Sequence, residues 1–296
     1  MQNKQSLQKD RRAVSPAIST VILTSAVIVM ILVTMTYTSS FLDTRMAENE
    51  FNSNKQFMLT TGLQVDDIAW TIGRTQTVRF TSRYGSVKLA DSVMTYSFEV
   101  NGSGTGNIWR TIDGGSGSWS TGVISFNMPI TAYTVGAGYN VNLYPSNRSY
   151  LQGPSSSTPV SQVLVVEKVP MTEGNYTRIV AAPMIRMLNS TISGTPPQSY
   201  YKFYLPVLGP AGSNPYLSQS VTLTGTGISK NLMTGITQVR VNVTFPKATT
   251  DGFDSDFFKF NNTKVGDHYS QVYNLAASST VELYVANVTV ALGLTA

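Results

Sequence analysis

Few side chains in this sequence have the chemistry of a reaction centre. Cysteine is absent, which excludes thiol nucleophiles, disulfides, iron–sulfur ligation and cysteine-based zinc sites. His268 is the only histidine, so a Ser-His-Asp triad would depend on it alone; beside Asp267 it reads as a surface residue. Asp251, Asp254 and Asp256, with Gly252, offer oxygen atoms suited to Ca²⁺, but their spacing lacks the EF-hand pattern and reads as a solvated loop. Gly102 to Gly106 (GSGTG) has no helix or lysine after it, so it reads as a hairpin turn and not a phosphate cradle. The paired carboxylates of glycoside hydrolysis can lie far apart in sequence, and among only 16 acidic residues none stands out. The chain reads as a non-enzyme with no cofactor and no metal.

The chemistry that is present belongs to processing and surface modification. Seven Asn-x-Ser/Thr sequons occur, at Asn101, Asn147, Asn175, Asn189, Asn242, Asn261 and Asn287, and each is an N-glycosylation acceptor if it meets the external face of a membrane. Serine and threonine number 33 and 35, while charged residues make up only 12% of the 296 residues. That is about half the charge of an average soluble domain; a surface of hydroxyls and amides fits a secreted β-rich protein. The net charge of +5 is unevenly spread: Lys4, Lys9, Asp10, Arg11 and Arg12 contribute +3 of it. A basic leader before an apolar run concerns membrane topology, not nucleic acid, which needs a basic stripe across a fold.

No charged residue lies between Ala13 and Leu42. Thirty helical residues span about 45 Å, against a hydrocarbon core of roughly 30 Å. Residues 17–33 hold ten Ile, Leu or Val, whose insertion gains roughly 3–6 kcal/mol before the hydroxyls subtract some. The basic leader predicts an inside start and an outside remainder. A secretory signal has an apolar stretch about half as long. A twin-arginine signal would use Arg11 and Arg12 but lacks its continuation. A plain signal anchor satisfies the hydropathy as it stands.

The boundary sequence DRRAVSPAISTVIL, Asp10 to Leu23, resembles the start of archaeal type IV pilins. That resemblance implies a prepilin peptidase that recognises Arg11, Arg12 and Ala13 and cuts before Val14, leaving the helix on the mature chain. It implies as partners the pilus assembly machinery and other pilin subunits, in a filament on the cell surface. Bacterial pilins carry a glutamate five residues into the mature chain; here that position is Ile18, which narrows the likeness to the archaeal class. Archaellins open with a Gly-rich run instead of Ser15-Pro16, so the likeness is to an adhesive pilus. An uncleaved, membrane-anchored surface adhesin or cell-envelope protein remains the alternative, and a tethered extracellular enzyme a more distant one.

The class expected to position these residues is α+β: a leader over 1–13, a long helix over 14–73, and an extracellular β domain over 74–296. Ser15 has the chemistry of an N-cap and Pro16 that of a first helical residue. Neither Pro nor Gly falls between Pro16 and Gly62, so nothing kinks the helix there. Ser19, Thr20, Thr24, Ser25, Ala26, Thr34 and Thr36 permit close helix approach and can bond back to carbonyls. Beyond the apolar run Phe51, Met58, Val65 and Ile72, with Ala47 and Ile68, form a stripe, and Glu48, Glu50, Lys55, Asp66 and Asp67 fall elsewhere. The spacing predicts one helix, or two joined near Thr60-Thr61-Gly62, whose second half is a spine for the outer domain: a lollipop. From Thr75 the period drops to two, and about a dozen strands predict an antiparallel β-sandwich, or two divided near 152–159. Phe257 to Phe260 is read among the strands, and the last strand, from Glu282 to Leu294, as central.

Overall fold

The computed structural model describes residues 6–113, 115, 117–153, 159–195, 197–212 and 219–293, and only the backbone of residues 6–17. It divides into two units, Met1–Asn49 and Glu50–Ala296. Helix α1 runs from Ser6 to Ala69 and supplies all the described residues of the first unit. The described helix already extends nine residues before the expected Ser15 N-cap. Leu7, Gln8, Lys9, Arg11, Arg12 and Ala13 are strong helix formers.

In the second unit the stripe on α1 is buried where expected: Phe51, Met58 and Ile68 are fully buried and Val65 nearly so. Ile72 departs from it, at 64% exposure. The helix stops at Ala69, Thr71 N–H closes on Ile68 O at 3.1 Å, and Gly73 turns left-handed at φ 81, so the helical period no longer applies at Ile72. Gly62 does not break the helix. A Cβ there would meet Val163 Cγ2 at 2.9 Å, and the Ser161 hydroxyl donates to the Gly62 carbonyl. The glycine lets the helix approach the sheet; it is not a hinge.

Among the described residues thirteen strands follow: β1 (Thr75–Arg79), β2 (Ser86–Gly102), β3 (Arg110–Thr111), β4 (Ser118–Pro129), β5 (Asn140–Tyr144), β6 (Leu151–Gln152), β7 (Ser161–Glu167), β8 (Tyr176–Pro183), β9 (Ile185–Ile192), β10 (Gln198–Pro210), β11 (Ser220–Thr244), β12 (Lys264–Val265) and β13 (His268–Leu292). They form one sheet ordered β5-β7-β8-β4-β2-β11-β13-β10-β9-β6, with β1 on β11, β12 on β13 and β3 on β2. The sheet is mixed, which corrects the antiparallel expectation: Tyr200–Pro210 runs parallel to Thr280–Val290, and β6 parallel to β9. The cause is insertion. The chain reverses between β10 and β11, so β13, lying between them, can be antiparallel to only one of the two. β13 is central as expected, although Leu294 lies outside the described residues. The expected division near 152–159 separates β6 from β7, two strands of the same sheet and unit; residues 154–158 lie outside the described residues.

The sheet bends around its core. β8 and β9 are joined by Met184 alone, yet β8 pairs with β7 and β4 while β9 pairs with β10 and β6. Leu208 N–H donates to Thr121 Oγ1 at 2.9 Å, linking β10 to β4. Inside lies one cluster that includes Tyr96, Phe98, Phe203, Val241 and Leu283. Alternation sends Leu164 and Val166 of β7 into that cluster, and Ser161 and Val163 toward the helix. Both faces of β7 are therefore buried, and the strand reads as a continuous apolar run.

Phe257 to Phe260 is not a strand. Ser255–Phe258 forms a short helix, α2, whose N-cap Asp254 accepts the Phe257 N–H, and Lys259 closes it in the left-handed region. A strand would turn Phe257 and Phe258 to opposite faces; one helical turn buries both.

Candidate functional site

From Ile18 to Met46 every described side chain of α1 is exposed, including Met30 at 69% and Tyr37 at 74%. Among the described residues this is the one helix long and apolar enough to cross a membrane; its most apolar window has a mean hydropathy of 2.5. Such a surface calls for lipid or for other apolar helices. Several of its hydroxyls are satisfied within the helix. Thr24 donates to Thr20 O (2.7 Å), Ser25 to Val21 O (2.7 Å), Thr34 to Met30 O (2.7 Å) and Thr36 to Leu32 O (2.9 Å). Back-bonding removes most of the cost of placing a hydroxyl in hydrocarbon. The expected processing residues Arg11, Arg12, Ala13 and Val14 lie on the helical backbone, and their side chains lie outside the described residues.

Two carboxylates that sequence reasoning passed over hold loops in place. Glu50 accepts the backbone N–H groups of Arg83 (2.9 Å), Tyr84 (3.1 Å) and Gly85 (3.0 Å), and the Ser82 hydroxyl (3.1 Å). It clamps the β1–β2 turn onto the helix. Glu167, 3% exposed, accepts Thr134 Oγ1 (2.7 Å), Thr177 Oγ1 (2.7 Å), Val135 N–H (2.8 Å) and Gly136 N–H (3.1 Å). Burial opposes its ionisation, but the four hydrogen bonds, led by Thr134, outweigh burial and hold its carboxyl below the ordinary value. No local signal could pair Glu167 with a turn some thirty residues earlier.

The three aspartates weighed as calcium ligands turn to three different cations. Asp251 lies 4.0 Å from Lys247, Asp254 caps α2 and pairs with Lys168, and Asp256 pairs with Lys264 at 2.8 Å. The hydrogen bond from Lys264 lowers the Asp256 pKa. Among the described residues no three acidic or histidine side chains converge on one point. His268 opens β13 opposite Val265. The GSGTG segment is a short 3₁₀ turn, Ser103–Thr105, pressed against β11: a Cβ on Gly104 would lie 1.8 Å from Thr234 O.

The sequons separate into two groups. Asn147, Asn175, Asn189, Asn261 and Asn287 are exposed. Asn101 and Asn242 are half-buried on strands, and their amide nitrogens donate to Gln238 Oε1 (3.3 Å) and Ser97 Oγ (3.2 Å). A glycan on either would take one of the two amide hydrogens and would have to fit beside that bond. Asn147 and Asn261 meet each other, Nδ2 of Asn261 lying 3.4 Å from Oδ1 of Asn147.

Comparison of the chain with protein-family models, curated proteins and solved structures returns no match.

Proposed function

We propose that the chain is a structural and adhesive subunit of an archaeal type IV pilus-like surface filament. In this reading a prepilin peptidase cuts between Ala13 and Val14, and the freed helix leaves the membrane to pack among sister helices. The β unit then faces outward on the cell surface as a glycoprotein. The partners are other pilin subunits, the peptidase with its assembly machinery, and the membrane before assembly; nucleic acid is not among them. The chain carries out no catalysis and needs no cofactor.

One observation carries the reading: an uncharged helical surface, exposed from Ile18 through Leu42, on which the Thr24, Ser25, Thr34 and Thr36 hydroxyls close on carbonyls of the same helix. Such a rod is compatible both with lipid before assembly and with a dry helix bundle after it. The basic pair, small residue and Ser-Pro at its inner end supply the cleavage chemistry. Ala13→Phe places a bulky ring where the peptidase requires a small residue. It should leave full-length precursor in the membrane and abolish filaments; normal processing would count against the reading.

A second reading, an uncleaved single-pass anchored adhesin or cell-envelope protein, draws on the helical backbone that continues from Ser6 through the expected cut. It differs in one respect: the leader stays on the mature chain.

A further inference from the structure

The outer face of β2, β11 and β13 carries an indole ring that filament assembly does not use. Val100, Val239 and Val241 turn into the core, so Asn101, Gln238, Arg240 and Asn242 turn out, facing Asn274, Val272 and Ser270 of β13 in register. Asn101 Nδ2 donates to Gln238 Oε1 (3.3 Å), and Gln238 Nε2 donates to Asn274 Oδ1 (3.0 Å). Four residues along β11, Ser270 Oγ donates to Asn242 Oδ1 (2.6 Å), and Asn242 Nδ2 donates to Ser97 Oγ (3.2 Å). These two rows of amides and hydroxyls are about 14 Å apart at 3.4 Å per residue.

Between the rows Arg240 Nε meets Glu99 Oε2 at 2.6 Å, and the Arg240 guanidinium lies 4.2 Å from the centroid of the Trp109 ring. The turn that leads into the ring is closed by hydrogen bonds. Thr105 Oγ1 donates to Ile108 O (2.7 Å), Asn107 N–H to Gly102 O (2.7 Å), and the turn they close abuts β11 at Gly104. Trp109 remains partly exposed, with Ile108 next to it in sequence at 53% and Val272 opposite Arg240 at 45%. A sheet face that meets only water needs no clamped indole.

We propose that this face binds a neutral polysaccharide, with Trp109 as the stacking platform and the two rows as hydrogen-bonding rails. A sugar ring offers an apolar C–H face and a rim of hydroxyls, each both donor and acceptor. An indole ring matches the first, and Asn, Gln and Ser side chains match the second. The central ion pair cancels its own charge. A phosphate backbone or an acidic glycan would need unpaired Lys or Arg, and the one cation in these described rows, Arg240, is paired with Glu99. The engaged amides of Asn101 and Asn242 keep the chain's own glycans off this surface. The inference deepens the adhesive part of the proposed function by naming a ligand class; it does not rest on filament assembly and holds equally for an anchored monomer.

The test is co-sedimentation of the full chain in detergent with cellulose, chitin, mannan and starch, and with heparin- and alginate-coated beads. Retention on at least one neutral polysaccharide is expected, unchanged by high salt. Trp109→Ala should weaken it about tenfold, Trp109→Phe should restore most of it, and the exposed Asn274→Ala, which leaves the core untouched, should weaken it about threefold. No retention on any neutral polysaccharide would overturn the proposal. So would retention indifferent to both alanine variants, or retention confined to acidic beads and abolished by salt. Each of those failures leaves the cleavage site, and with it the filament reading, undecided.

Discussion

Glu167→Gln exchanges an ionised acceptor for a neutral one of the same shape at a buried point where β7, β8 and the Thr134–Gly136 turn meet. Oε2 accepts from Thr177, Val135 and Gly136, so a glutamine oxygen placed there keeps all three bonds but loses their charge. A hydrogen bond to a charged group contributes about 1.5–3 kcal/mol and a neutral one about 0.5–1.5 kcal/mol, which sets the gross loss near 3 kcal/mol. Relief of the buried charge returns part of that, leaving a net loss of about 2 kcal/mol. For a unit of this size, Tm should fall by about 4–8 °C at pH 7. The sign of the pH dependence follows from the lowered native pKa. The carboxylate's contribution is fully present above the ordinary value of 4.5 and is lost as pH falls through the lower native value. Thermal melts of the two proteins should therefore converge in acid. Equal stability at pH 7, or a gap that does not narrow as pH falls below 4.5, would refute the role given to Glu167.

The helix offers two further comparisons. Phe51, fully buried and 5.1 Å from the Tyr133 ring, should cost about 3–5 kcal/mol as Phe51→Ala, whereas Ile72→Asn in the exposed turn should stay within about 0.5 kcal/mol; urea denaturation separates them. Gly62→Ala gains up to about 1 kcal/mol in helix propensity but drives a Cβ into Val163, an overpacking worth about 1–3 kcal/mol; a net loss in the same assay is expected, and a gain would mean the helix does not sit that close. A glycopeptide mass map should find Asn101 and Asn242 bare, with any N-glycan confined to Asn147, Asn175, Asn189, Asn261 and Asn287.

Much of the fold was legible wherever one physical signal acted alone. The uncharged run, the buried faces of Phe51, Met58, Val65 and Ile68, and the change to strands at Thr75 all follow from local period and charge. Reading failed where distant parts of the chain decided the outcome. The parallel pairing of β10 with β13 depends on where the last strand inserts, and no short window encodes that. Phe257 and Phe258 look like strand residues until both must be buried. Gly62 reads as a break until Val163 lies against it. Glu50 reads only as a charge off the apolar stripe, and Glu167 carries no local signal, because most of their donors come from turns about thirty residues away. The Trp109 face was invisible for the same reason: its rows join residues from three strands, and only register brings them together.

Amino-terminal sequencing of the protein sheared from the cell surface tests the central claim most directly. The account predicts a mature chain beginning at Val14 and recovered in filaments. A chain that still begins at Met1, recovered as single membrane-held molecules, would contradict it.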